Sequence, residues 1–135
     1  MSGQFSYLYV EDDPLSLEVM QTLLEEIVEV GNLVLFDSSE NFIERLEALS
    51  RLPDFVLLDI HIAPHDGYEL LRMLRADDRF AACQVIAVTA SVMSEEVAQL
   101  KRHGFDGALS KPLDMITFPD LIQRLESGEK VWQVE

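Results

Sequence analysis

The sequence predicts an α/β protein: a doubly wound, five-stranded parallel sheet covered by helices on both faces, in three layers α/β/α. Two observations carry that expectation. Short apolar runs alternate along the whole chain with stretches whose apolar residues recur at helical spacing, and such alternation implies right-handed crossovers and a parallel sheet. The middle run, Phe55-Val56-Leu57-Leu58, is apolar without alternation and is bracketed by Pro53-Asp54 before and by Pro64 and Asp66-Gly67 after, which reads as a strand buried on both faces. That run ends on a carboxylate, Asp59. In an open parallel sheet the carboxyl edge is where ligands bind, because loops and helix N-termini gather there.

Each element has its own signal. Tyr7-Leu8-Tyr9-Val10 is the first strand and ends in Glu11-Asp12-Asp13. Pro14 then suits a first helical turn, where its missing N–H is not needed. Leu17, Met20, Leu24 and Ile27 predict the inward stripe of the first helix, widened by Leu23 and Val28, with Glu18, Gln21 and Glu25 on the other face. Gly31-Asn32 is expected to break it before the strand Leu33-Val34-Leu35-Phe36. A second helix is expected from about Ser39, with Phe42, Ile43, Leu46 and Leu49 inward, and Pro53 ends the connection to the central strand. The loop after Asp59 has strong turn chemistry at its far end, and Leu70, Leu71 and Leu74 mark the third helix. Val85-Ile86-Ala87-Val88 is the fourth strand and ends on Thr89-Ala90-Ser91. Ser94 with Glu95-Glu96 opens a fourth helix with Val97 and Leu100 inward, stopping at Gly104. Gly107-Ala108-Leu109-Ser110 is a short fifth strand followed by Lys111-Pro112. Thr117 is placed as the cap of a last helix, because Pro119 is tolerated only near its start, and Leu121, Ile122 and Leu125 face inward.

At 135 residues the chain suits one domain with a core large enough to need no disulfide or structural metal. The domain is expected over 1–128, followed by an acidic tail at 129–135 in which Trp132 either covers the domain's own apolar surface or anchors a partner. The single cysteine, Cys83, cannot form an internal disulfide, which suits a reducing compartment, and it reads as structurally buried. No apolar stretch approaches the roughly 20 residues that span a bilayer, and Met1-Ser2-Gly3-Gln4 lacks the features of a signal peptide, so a soluble cytoplasmic protein is expected. A net charge of −15 argues against direct binding to nucleic acid or to an anionic membrane. Partner surfaces should be neutral or basic.

The strand ends deliver Glu11 and Asp12, then Asp59, then Thr89, then Lys111. Singly, each has a plain explanation: acids before a helix are caps, Thr is at home in strands, and Lys-Pro is an ordinary turn. Together they define a chemistry. Two or three carboxylates converging on one edge repel each other unless a cation sits between them. Oxygen ligands without thiolate select Mg²⁺ over softer metals, with Mn²⁺ as a substitute and Zn²⁺ disfavoured. Thr89 can donate a hydrogen bond, and Lys111 a positive charge, to a phosphoryl group built on Asp59.

With these residues in that order, the chain resembles a response-regulator receiver domain of two-component signalling over roughly Tyr7 to Leu125. The resemblance implies the flavodoxin-like receiver fold with strand order 2-1-3-4-5. It implies that Asp59 is the phosphoacceptor, Asp12 a direct metal ligand, Glu11 an acid acting through a metal-bound water, and the backbone carbonyl of His61 a further ligand. Thr89 resembles the switch hydroxyl and Lys111 the phosphate-sensing lysine, with a cis Lys111-Pro112 bond. Asp13 matches a variable position and is left as a helix-start residue. The expected partners are a histidine kinase or histidine phosphotransfer protein and a downstream protein that the sequence does not specify. Such a domain is no conventional enzyme, but it catalyses its own phosphorylation and dephosphorylation.

Three departures from the family pattern stand out. Ile62-Ala63-Pro64 moves the usual proline one place on while Gly67 stays in register; Ala108 replaces the usual aromatic signal residue; and no DNA-binding or catalytic domain follows, so output is expected from the receiver surface or another chain. His61 either influences phosphate hydrolysis or points to solvent, and His65 and His103 read as surface groups. Two rivals are weighed against this reading. A haloacid-dehalogenase-type phosphatase needs an Asp two residues after its nucleophile, where His61 stands, and a cap domain. An unphosphorylated pseudo-receiver binding module usually lacks one of the acids or the lysine, and here all are present.

Overall fold

The computed structural model describes residues 4–133; the expectations on Met1-Ser2-Gly3 and on Val134 and Glu135 of the tail lie outside the described residues. Five strands, β1 (Ser6–Val10), β2 (Asn32–Phe36), β3 (Phe55–Asp59), β4 (Gln84–Thr89) and β5 (Gly107–Ser110), form one parallel sheet in the order β2-β1-β3-β4-β5. The helices are α1 (Pro14–Gln21, running on as a π-helix over Thr22–Val28), α2 (Phe42–Glu47), α3 (Gly67–Ala76), α4 (Ser94–His103) and α5 (Phe118–Glu126). Among the described residues no helix is long and apolar enough to cross a membrane.

The unbroken apolar runs follow from burial on both faces. Along β1 and β3, Leu8, Val10, Val56 and Leu58 pack with α2, α3 and α4, while Tyr7, Tyr9, Phe55 and Leu57 pack with α1 and α5. A side chain such as Leu57, fully buried, stabilises the fold by about 1.5–3 kcal/mol relative to exposure. The stripes expected for α3, α4 and α5 are buried as read, and Gly104 closes α4 with a positive φ of 103°.

Three local expectations are corrected. Ile27 is exposed, because the π-helical stretch puts an extra residue into each turn and moves the inward position on to Val28, which packs on the core. That helix also ends at Glu29, in the left-handed conformation, before Gly31 is reached. Ser39 does not open the second helix, which starts at Phe42; Ser39 is fully buried and its hydroxyl accepts the His65 N–H at 2.8 Å, tying two loops together. Thr117 does stand at the start of α5, without a side-chain cap.

The stretch expected as a tail packs on the free edge of β5 as far as Gln133. Ala108 N–H donates to the Val131 carbonyl at 2.8 Å, Gln133 N–H to the Ala108 carbonyl at 3.0 Å, and Ser110 N–H to the Gln133 side chain at 2.7 Å. Val131 is buried, and Trp132 covers apolar surface beside Ala108, with the Lys101 ammonium 5.1 Å from its ring centroid. Glycine is required at position 107, since a Cβ there would lie 2.6 Å from the Val131 carbonyl oxygen.

Candidate functional site

The carboxyl edge of the sheet brings Glu11, Asp12, Asp59 and Lys111 together. Glu11 continues β1 through its N–H to the Phe36 carbonyl at 3.0 Å, and Lys111 continues β5 through its N–H to the Thr89 carbonyl at 2.9 Å. Strand alternation then decides which side chains share a face. Tyr9, Leu57 and Leu109 lie against α1 and α5, so Glu11, Asp59 and Lys111, each two residues further on, project to that same side. The Lys111 ammonium pairs with Glu11 Oε1 and stands 3.6 Å from Asp59 Oδ2. Asp59 Oδ1 accepts the His61 N–H at 3.2 Å.

Helix starts complete the rim. Asp13 caps α1, accepting from Ser16 N–H at 3.0 Å, which leaves Asp12 exposed at the mouth of the site. Asp66 and Glu69 form a reciprocal cap on α3, with N–H to carboxylate distances of 2.9 and 3.2 Å. Gly67 lets that helix start close to the strand end, because a Cβ there would meet the Ile60 backbone at 2.9 Å. Thus the shifted proline, with both Ala63-Pro64 and Lys111-Pro112 in cis form, leaves the approach of α3 to Asp59 intact.

Electrostatics sets the two buried carboxylates apart. Burial, then hydrogen bonding and charge from Glu11, push the Asp59 carboxyl up to about 6 from 3.8, against the opposing pull of the His61 N–H and Lys111. Burial would raise Glu11 too, but hydrogen bonds with Asp59, Lys111 and Tyr9 outweigh it and hold Glu11 below its ordinary value. Carboxylate oxygens of Glu11, Asp12 and Asp59 lie within 4.8 Å of one another. Negative charge therefore exceeds what the Lys111 ammonium neutralises, and the all-oxygen donor set with an exposed member fits a hard divalent cation that retains water ligands.

Thr89 comes to the same edge but projects to the other side of the sheet, with Ala87 and Ala108. Its hydroxyl accepts the Ser91 N–H at 3.2 Å and lines a cleft of about 170 Å³ with His61, Tyr68 and Glu96. Ala108 is fully buried, and Tyr68 from α3 stands on this side, 4.5 Å from the His103 ring and 5.7 Å from Phe105. His61 and His103 are exposed, and His65 Nδ1 lies 3.3 Å from Glu69. Cys83 is half-buried, which pushes its thiol pKa up.

One residue escaped sequence reasoning. Tyr9 reads as an apolar strand residue, yet its hydroxyl donates to Glu11 Oε1 at 2.8 Å inside the protein. The available signal was spacing: a tyrosine two residues before an acid on one strand shares its face.

A five-stranded parallel sheet in the order β2-β1-β3-β4-β5, with an acid cluster and a lysine at its carboxyl edge, defines a class of doubly wound α/β proteins. Comparison with known proteins narrows the class. Residues 7–125 match the response regulator receiver domain, and the chain belongs to that family. It is 33% identical over 126 residues to the response regulator Rre1 of Synechocystis, covering 93% of this chain and 53% of that protein. It is 29% identical to the polar-differentiation response regulator DivK of Brucella anthropi, covering 87% of this chain and 93% of DivK. Among solved structures, the signal receiver domain of a DNA-binding response regulator from Colwellia psychrerythraea 34H superposes with a TM-score of 0.78 at 22% identity, over 92% of this chain and 99% of that one. The chain spans about half the length of Rre1.

Proposed function

We propose that the protein is a phosphorylation-dependent response regulator receiver in which Asp59 accepts a phosphoryl group from a phosphohistidine on a histidine kinase or histidine phosphotransfer protein. The observation that carries this reading is the placement of Lys111 between Glu11 and Asp59, with Asp12 open to solvent beside them. An Asp59 oxygen attacks phosphorus as the P–N bond breaks, and the bond's electron pair returns to an imidazole that leaves neutral because its second nitrogen carries a proton. Charge spreads over the phosphoryl oxygens in this displacement. Lys111 is near enough to Asp59 to take part of it, and the Thr89 hydroxyl takes another part after turning from Ser91. Asp12, Asp59 and the His61 carbonyl, with Glu11 through a water, would hold Mg²⁺ or Mn²⁺, which would supply the remaining charge neutralisation. The same groups later orient water for dephosphorylation, and the altered surface signals to a downstream protein.

The test is incubation with acetyl phosphate and Mg²⁺, followed by mass spectrometry. One added phosphate is expected on the wild type and none on Asp59→Asn. Labelling that persists in the variant would remove Asp59 as acceptor, and a wild type that takes none would leave an unphosphorylated binding module.

A further inference from the structure

Tyr9 is fully buried on β1, and its hydroxyl donates to the Glu11 oxygen that also receives the Lys111 ammonium. The second Glu11 oxygen accepts the Asp13 N–H at 3.3 Å. Glu11 is 1% exposed, so bulk solvent does not replace a donor lost from Oε1, and a metal-bound water of the kind proposed above satisfies one Glu11 oxygen only. The Tyr9 ring also lines, with Lys111, Leu15 and Val19, a cleft of about 360 Å³ beside the site, which puts the tyrosine next to the path of the lysine side chain.

The inference rests on the phosphoacceptor reading above, in which Lys111 has to leave Glu11 for a phosphoryl oxygen on Asp59. We propose that Tyr9 is a positioning residue for this step: its hydroxyl keeps Glu11 Oε1 hydrogen-bonded while Lys111 transfers to the phosphoryl group. With phenylalanine at this position, Lys111 would be the one basic or hydroxyl side chain left donating to that oxygen. Its departure would strand a buried carboxylate, so the lysine stays on Glu11 and phosphorylation slows.

The plain alternative is that a buried tyrosine needs some acceptor. Two residues earlier on the same strand, Tyr7 donates to Glu126 at 2.5 Å, against α5 and away from Lys111. Tyr7→Phe is therefore a matched control, since it deletes the same group from the same strand.

The experiment measures the rate of phosphorylation by acetyl phosphate in saturating Mg²⁺ and the affinity for beryllium fluoride, alongside melting temperature. Tyr9→Phe should lower rate and affinity about tenfold, while Tyr7→Phe lowers only the melting temperature. In a Lys111→Ala background the further effect of Tyr9→Phe should fall to about twofold or less, because the donor that moves has been removed. The proposal is overturned by a Tyr9→Phe rate equal to wild type, by an equal loss in Tyr7→Phe, or by an undiminished Tyr9 effect without Lys111. A wild type that takes no phosphate overturns the proposed function itself, which separates the two failures.

Discussion

Replacing Asp59 by asparagine should stabilise the metal-free protein at neutral pH, by an amount that grows as pH rises. Burial and Glu11 hold the Asp59 carboxyl up to about 6 against an ordinary 3.8. At about 1.4 kcal/mol per pH unit, keeping this group ionised in the folded chain costs about 3 kcal/mol. A group whose folded pKa is raised stabilises the fold fully below its unfolded value and loses that contribution as pH rises through the folded one. The asparagine amide can donate to Glu11 as the protonated acid does and never ionises. Urea unfolding of both proteins in chelator, from about pH 4 to 8, should therefore show curves that nearly meet at the acid end and separate through about pH 6, with the variant ahead by up to about 3 kcal/mol. Adding Mg²⁺ should narrow the gap at pH 8 from the wild-type side, by about 1.4 kcal/mol at ~10 times Kd. A gap that is constant with pH, or a wild type more stable than the variant in chelator at pH 8, would refute the electrostatic account of the site.

Thr89→Ala should leave labelling at Asp59 largely intact while abolishing the change in amide exchange over residues 89–97 on adding beryllium fluoride, since the hydroxyl lies on the other side of the sheet from Lys111 and, in the proposed function, is the tether and not the acceptor; a change confined to Ala108 and Leu109 would refute this route. Gly107→Ala should drive the 131–133 segment off β5, because the new Cβ meets the Val131 carbonyl, and fluorescence of Trp132, the protein's single tryptophan, reports it directly. The expected cost is about 2 kcal/mol for two backbone hydrogen bonds, with more from exposing Val131; a wild-type spectrum would mean the segment tolerates the methyl.

The architecture and the acid cluster were legible in the sequence because both are written in local pattern. Buried parallel strands need unbroken apolar runs such as Phe55 to Leu58, and the edge chemistry follows from what terminates each run, so Glu11, Asp12, Asp59, Thr89 and Lys111 could be set at one edge before any coordinates. The strand order β2-β1-β3-β4-β5, implied by family resemblance, stands in the structure. Periodicity failed where the helical repeat itself changes, at Ile27, and capping chemistry failed at Ser39, whose hydroxyl serves a loop 26 residues away. The tertiary structure alone decided that residues 131–133 cover the β5 edge, that Tyr68 stands on the side of the sheet where Ala108 lacks a ring, and that Glu11 is shared by Tyr9 and Lys111. The physical reason is common to all three. Each depends on segments far apart in the chain, 131–133 and β5, α3 and β5, Glu11 and Lys111, and local spacing carries no record of which distant groups meet.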